Sequence, residues 1–392
     1  MRGMRLSALL AAIVLLLTPA MGTAHHGGRD IGSMAICQRP NVSPPRCTSV
    51  GDNLRHYVHF DASLTPELAA SLRDTMAEDY DPTVLVVREQ PDLTALTDVI
   101  AYSGDYGENG AAGWVNCPPD APQGLNTRGD RWCRHQELIF NLNPRYASYL
   151  GDDGSRDYVA CHELGHTIGL RHWGNPPESE GPAAATCMNA DTPDGPTNLH
   201  QIDIDHINGY PYATKRWGRG FTERAVGDPL PKIVSTWTGG GVEALEVERY
   251  ATLAELIGGA DAVVRGRFTG VAPGRVFGDP SGYALHYAAM RLDVSELLAG
   301  TAGTEITVET PLWNGPDSLA SVARTVPEDE VILFLRAKSD GPYFRLVAAG
   351  TLLIDEGGVA AAPGDAGALT ALEGTAFNEA ANLVLAARQA AP

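Results

Sequence analysis

Lysine is almost missing from this chain: three of its 29 basic residues are lysine and the rest are arginine, a preference expected of a high-GC bacterial genome. Positive charge as a whole is scarce. Asp and Glu number 48 against those 29, and the formal net charge is −19. That balance favours solubility and argues against nucleic acid or an anionic membrane surface as a partner. Beyond the first 24 residues no apolar run is long enough to cross a bilayer as a helix, so no membrane span is expected. Cysteine is sparse at six, but the number is even. A chain of 392 residues suggests two domains.

The N-terminus has the build of a secretory signal. Arg2 and Arg5 carry the charge, Leu6–Leu17 is the apolar stretch, and Gly22-Thr23-Ala24 offers small residues for cleavage before His25. An exported, extracellular chain is therefore expected. Export permits disulfides, and six cysteines allow three. Nearness in the chain favours Cys37–Cys47 and Cys117–Cys133, which leaves Cys161 with Cys187.

The chemistry concentrates in His162-Glu163-Leu164-Gly165-His166-Thr167-Ile168-Gly169-Leu170-Arg171-His172, which reads H-E-x-x-H-x-x-G-x-x-H. His162 and His166 are four apart, so a helix presents them on one face. Two imidazoles so placed can grip a Zn²⁺ ion. Glu163 stands beside them as a general base, Gly169 permits a sharp bend, and His172 can return as a third ligand. Three ligands leave a position open for water, the arrangement of a catalytic zinc. Chance assembly of this string in such a chain is on the order of 1 in 10,000, so it is read as a site.

The string resembles the metzincin clan of zinc endopeptidases. The clan carries a methionine turn under its zinc, and Thr186-Cys187-Met188-Asn189 stands where that turn belongs, with Met188 as its methionine. A Cys161–Cys187 bridge would then tie the zinc helix to the turn. Ala190 replaces the tyrosine that astacins and serralysins place after the turn, which makes the chain matrixin-like on this point. Trp173, after the third histidine, matches none of the subfamilies. Pro45-Arg46-Cys47 resembles a matrixin cysteine switch, but Thr48 stands where that family has Gly, and the even cysteine count favours a disulfide.

The resemblance implies an α+β or α/β catalytic domain: a mixed, mostly parallel twisted sheet with a zinc helix and a C-terminal helix. The expected strands are Leu54–Phe60, Thr83–Val87, Asp98–Tyr102, Ala112–Cys117 and Glu137–Asn143, with a helix over Thr65–Asp79. Asp153, Gly154 and Ser155 are candidate caps for the zinc helix. By resemblance, Ala112–Cys117 is an antiparallel edge strand above the cleft, free to pair with a peptide substrate. The loop 104–113 offers Asp105, Glu108 and Asn109, and related matrixin loops bind Ca²⁺, so calcium is a second possible cofactor. His200–Asn208 reads as the last helix, with Asp203 or Asp205 bonded to the backbone of the methionine turn.

The expected organisation is a signal peptide at 1–24, a short leader or propeptide at 25–51, the zinc domain at 52–215, a linker at 216–245 and a β-rich domain at 246–392. That last domain should be a small all-β barrel or sandwich. Its strands are expected at Ala262–Phe268, Leu285–Val294, Thr304–Thr310, Glu330–Arg336, Tyr343–Val347 and Thr351–Ile354, before a helix over Thr370–Arg388. It shows no catalytic constellation, and its ligand is not legible. Two functions compete: a secreted zinc endopeptidase acting on proteins or peptides, and an exported binding or adhesion protein whose β-domain is primary.

Overall fold

The computed structural model describes residues 51–118, 121–125, 131–170, 186–189, 195–209, 243–246, 250, 252–279, 281–313, 315–347, 352–361, 367–369 and 371–390. The signal and leader segments, with Cys37 and Cys47, lie outside these residues, as do His172 and Trp173.

The first half opens with strand β1 (Arg55–Phe60) and helix α1 (Pro66–Thr75), and a π-helical turn continues α1 through Tyr80. Thr65 starts α1 by accepting the Leu68 N–H, with Pro66 in the first turn where a missing donor costs nothing. Strands β2 (Val86–Glu89), β3 (Val99–Gly104), β4 (Ala111–Asn116), β5 (Gln123–Leu125), β6 (Arg131–Cys133) and β7 (Gln136–Asn141) follow. A one-turn helix α2 (Ala147–Leu150) leads into α3 (Asp153–Thr167). After the turn around Met188 comes α4 (Gln201–Gly209).

The expected strand Thr83–Val87 is shifted. Thr83 closes a turn on the Tyr80 carbonyl, and pairing with β1 begins only at Val86. Leu68 and Leu72 of α1 and Met76 of the π-helical turn share one core with Val159 and Leu164 of α3 and with Val58, Val99, Leu138 and Phe140 of the sheet. Each such fully buried side chain contributes roughly 1.5–3 kcal/mol relative to exposure.

The sheet order is β2-β1-β3-β7-β4-β8, where β8 is Glu243–Glu246. The first four strands run parallel, and β4 is antiparallel to β7. The expectation of a free edge at β4 is overturned, because β8 pairs with it antiparallel on its other side. Three of the four residues of the strand that takes the edge come from the segment expected to be a linker. A four-residue run without a marked pattern acquires strand geometry only from its partner.

The second half begins with α5 (Leu253–Gly259), started by a reciprocal Thr252–Glu255 cap. Strands β9 (Ala262–Gly278), β10 (Ala284–Gly300) and β11 (Glu305–Pro311) precede the short helix α6 (Leu319–Thr325). Then come β12 (Val331–Ala337), β13 (Tyr343–Leu346), β14 (Leu352–Glu356), β15 (Val359–Ala361) and α7 (Phe377–Ala390). Strands β9 and β10 run 17 residues each, well past the expected ends. Proline ordinarily interrupts a strand, yet Pro273 sits within β9 opposite Ala288, beside a register shift where a strand tolerates it.

The pairings β9–β10, β10–β11, β11–β13, β13–β12 and β12–β9 return to their starting strand, and only β11–β13 is parallel. This is a closed five-stranded Greek-key barrel with the connectivity of an OB-fold. It decides the expectation of barrel or sandwich in favour of a barrel. Among the described residues, no helix is long and apolar enough to cross a membrane.

Candidate metal centre

Helix α3 positions the site. Its N-cap is Asp152, one residue before the expected candidates. The Asp152 carboxylate accepts the Ser155 N–H at 3.0 Å and the Ser155 hydroxyl at 2.8 Å. Charge at that end suits the helix dipole. From Tyr158 through Thr167 every residue of the helix is buried, and His162, Glu163 and His166 are 0–1% exposed. At its far end Gly169 takes φ +93°, and the Gly169 and Leu170 N–H groups fold back onto the His166 and Gly165 carbonyls. That bend carries the Leu170 carbonyl to within 2.8 Å of His166 Nδ1.

The two imidazoles converge. His162 Nδ1–H donates to the Cys187 carbonyl at 2.7 Å, and His166 Nδ1–H to the Leu170 carbonyl at 2.8 Å. A carbonyl can only accept, so in the neutral rings both protons sit on Nδ1 and both Nε2 atoms carry lone pairs. Those Nε2 atoms are 3.0 Å apart. Two lone pairs facing each other at that distance repel unless a cation draws them together. Two ligands of a tetrahedral zinc at the usual bond length stand about 3.3 Å apart, so the donor set fits that ion. Among the described residues no group of three or more His, Cys, Asp and Glu assembles, and His172 lies outside them.

Glu163 faces the strand side. A Cβ added to Gly113 of β4 would come within 2.8 Å of its Cγ and Oε1, so glycine there makes room for the carboxylate.

Four ties hold the turn around Met188, three to α3 above it and one to α4. The Cys161–Cys187 bridge links the two segments with Cα atoms 5.9 Å apart. Closing a loop of its 26 residues is worth about 3.5 kcal/mol in the chain-entropy account. The His162–Cys187 bond is the second tie. Tyr158 donates its hydroxyl to the Asn189 carbonyl. Thr186 donates to the Asp203 carboxylate at 2.5 Å while accepting the Met188 N–H at 3.2 Å. Asp203 is thus the acid that holds the turn, and Asp205 instead takes the Gln201 amide at 3.0 Å. Met188 lies against the helix so closely that a Cβ on Gly165 would fall 2.4 Å from its Sδ. The other expected bridge, Cys117–Cys133, pins β4 to the β5–β6 arm.

Other residues serve the site without a motif to announce them. His56 of β1 reaches the Thr167 hydroxyl at 2.8 Å, and that hydroxyl donates on to Leu164 O at 2.7 Å. The imidazole is therefore the donor and neutral, and burial lowers its pKa to about 3. Asp79 accepts the Leu199 N–H at 2.8 Å, fixing the entry to α4, and burial pushes its carboxyl up to about 6. A lone histidine in an alternating strand and an acid at a helix end give no sequence signal for such roles.

The expected calcium loop is held by the chain itself. Asp105 Oδ1 accepts from Gly107 N–H and Asn143, Asn109 Oδ1 from Ala111 N–H and Asn141, and Glu108 Oε1 from the Ser339 N–H and hydroxyl. These oxygens are turned to protein donors, and among the described residues no group of three or more His, Cys, Asp and Glu assembles here.

No family model matches the chain, and no curated protein matches it. Among solved structures it is similar to high choriolytic enzyme 1, a hatching enzyme zinc-protease from the medaka fish Oryzias latipes. The identity is 12%, the match covers 40% of this chain and 88% of that one, and the TM-score is 0.24. A likeness that slight transfers no function.

Proposed function

We propose that the chain is a secreted zinc-dependent endopeptidase. The observation that carries the reading is the convergence of His162 and His166, each with Nδ1 committed to a carbonyl and Nε2 turned to a shared point. His172, three residues past the Gly169 bend, is assigned as the third ligand. When bound, zinc polarises a peptide carbonyl and acidifies water, which is the chemistry such a donor set exists to hold.

The chain's own residues do the rest. The Cys187 and Leu170 carbonyls fix tautomer and ring orientation, as partners of metal-binding histidines commonly do. Glu163 takes a proton from the attacking water and passes it to the departing amine nitrogen. Its carboxylate, fully buried beside Gly113, is held between the helix and the strand. Export and extracellular action follow from the signal-like N-terminus and suit the two disulfides among the described residues.

Metal analysis tests the reading first. The purified chain should hold one zinc per molecule, and His166→Ala should lose it. Glu163→Gln should keep the zinc and lower peptide hydrolysis by roughly 10²–10⁴-fold, whatever the rate of the unaltered chain. Absence of zinc from the folded protein, or hydrolysis that survives Glu163→Gln, would refute it.

A further inference from the structure

The sheet ends where a peptidase would want it open. Strand β4 passes directly over Glu163, and its outer side is taken by β8 of the same chain. The register is Ala111↔Glu246, Trp114↔Ala244 and Val115↔Glu243, antiparallel. The register shift leaves Ala112 and Gly113 opposite Leu245 alone, so β8 runs past the backbone that touches the general base. Its Cα atoms also come within 8 Å of those of helix α3. An extended peptide recognised by main-chain bonds to an exposed edge would need this same place.

A second set of contacts holds the arrangement. The barrel docks on β4 and on the loop before it. Tyr283 Oη receives the Trp114 indole N–H at 3.3 Å, the Trp313 carbonyl receives the Asn116 amide at 2.9 Å, and Tyr287 donates to the Tyr106 carbonyl at 2.8 Å. Ser339, between β12 and β13, bonds Glu108. Trp114 is fully buried, with the Trp313 ring 5.1 Å and the Tyr106 ring 5.4 Å away. The barrel surface used here includes the β9–β10 and β12–β13 connections. That surface is spent on the strand to which β8 is paired, and β8 is the segment that leads into the barrel.

We propose that β8 is a built-in occupant of the cleft: residues 243–246 fill the strand position of a peptide substrate, and the docked barrel keeps them there, so the intact chain is latent until β8 is displaced or cut. The proposal rests on the peptidase reading above. It assigns the second half a function, as the clamp on that strand.

The test replaces Glu243–Glu246 with Gly-Ser-Gly-Ser in the full-length chain and follows hydrolysis of a quenched-fluorescent peptide library, with zinc content and melting temperature measured alongside. Zinc should stay at one per chain and hydrolysis should rise at least tenfold. A synthetic peptide of residues 240–249 added to the altered chain should reverse the gain. If the replacement prevents folding, Ala244→Pro, which removes a single ladder donor opposite Trp114, takes its place with the same expectation. Equal hydrolysis by both chains, abolished in both by Glu163→Gln, would overturn the latency and leave the peptidase reading standing. Zinc-loaded, folded chains that are both inactive would overturn the two together.

Discussion

The surroundings of His162 and His166 and one cluster in the barrel bury polar groups in different ways. Around the two histidines of α3, several buried polar side chains are tied to a backbone atom or a single hydroxyl: His162 to the Cys187 carbonyl, Asp79 to the Leu199 N–H, His56 to Thr167. In one cluster of the barrel, buried charge is paired with buried charge. Glu309 and Lys338 are both fully buried and 2.8 Å apart, and Arg275 reaches Glu309 at 2.6 Å and Asp340 at 3.0 Å. The Lys338 ammonium lies 4.3 Å from the Tyr287 ring centre, beside the docking surface. Ties to backbone fix where a nitrogen points, which a metal site demands. A closed ion cluster fixes how two barrel strands and a seam tyrosine stand together.

The contrast can be broken at its strongest point first. Glu309→Ala leaves Lys338 and Arg275 without their shared carboxylate and should cost about 3–5 kcal/mol, read as a lower urea midpoint. Joint replacement of Glu309 and Lys338 by methionine should recover most of that loss, because the buried ammonium leaves together with its partner. A single-residue loss below about 1 kcal/mol would mean that the cluster is not what holds the barrel strands. On the site side, Gly165→Ala drives a methyl into Met188 and should cost about 1–3 kcal/mol, the usual range for overpacking. Pairing it with Met188→Ala, which removes the sulfur that the methyl meets, should recover part of that loss.

The smallest effect sharpens the comparison through pH. Asp79 has its pKa raised by burial, so the folded state holds the proton more tightly than the unfolded one. Its contribution is fully present below about pH 4 and is lost as the pH rises through about 6. Asp79→Asn should therefore change the melting temperature in a pH-dependent way, favouring the variant more at pH 7 than at pH 4. His56 works in the other direction. With its folded pKa lowered to about 3, its contribution is present above about pH 6.5 and fades as the solution is acidified. A difference between variant and parent that stays constant from pH 4 to 7 would contradict the assignment to Asp79.

What the sequence by itself determined about this protein is local. The spacing of His162 and His166 is a property of one helix, the Gly169 bend is a property of one residue, and Thr65-Pro66 marks a helix start wherever it stands. Barrel strands with alternating or β-branched runs were legible for the same reason, and nearness along the chain suggested which thiols meet. Tertiary structure decided everything that joins distant segments. His56 and Thr167 lie 111 residues apart, and Trp114 and Tyr283 lie 169 apart. No pattern along the chain records such a pair. The same holds for Asp203 over Asp205, for the closure of the barrel through β13, and above all for β8. Residues 243–246 carry no strand signature of their own. They become a strand because β4 offers an unpaired row of N–H and C=O groups, and an open sheet edge draws in whatever extended chain can reach it.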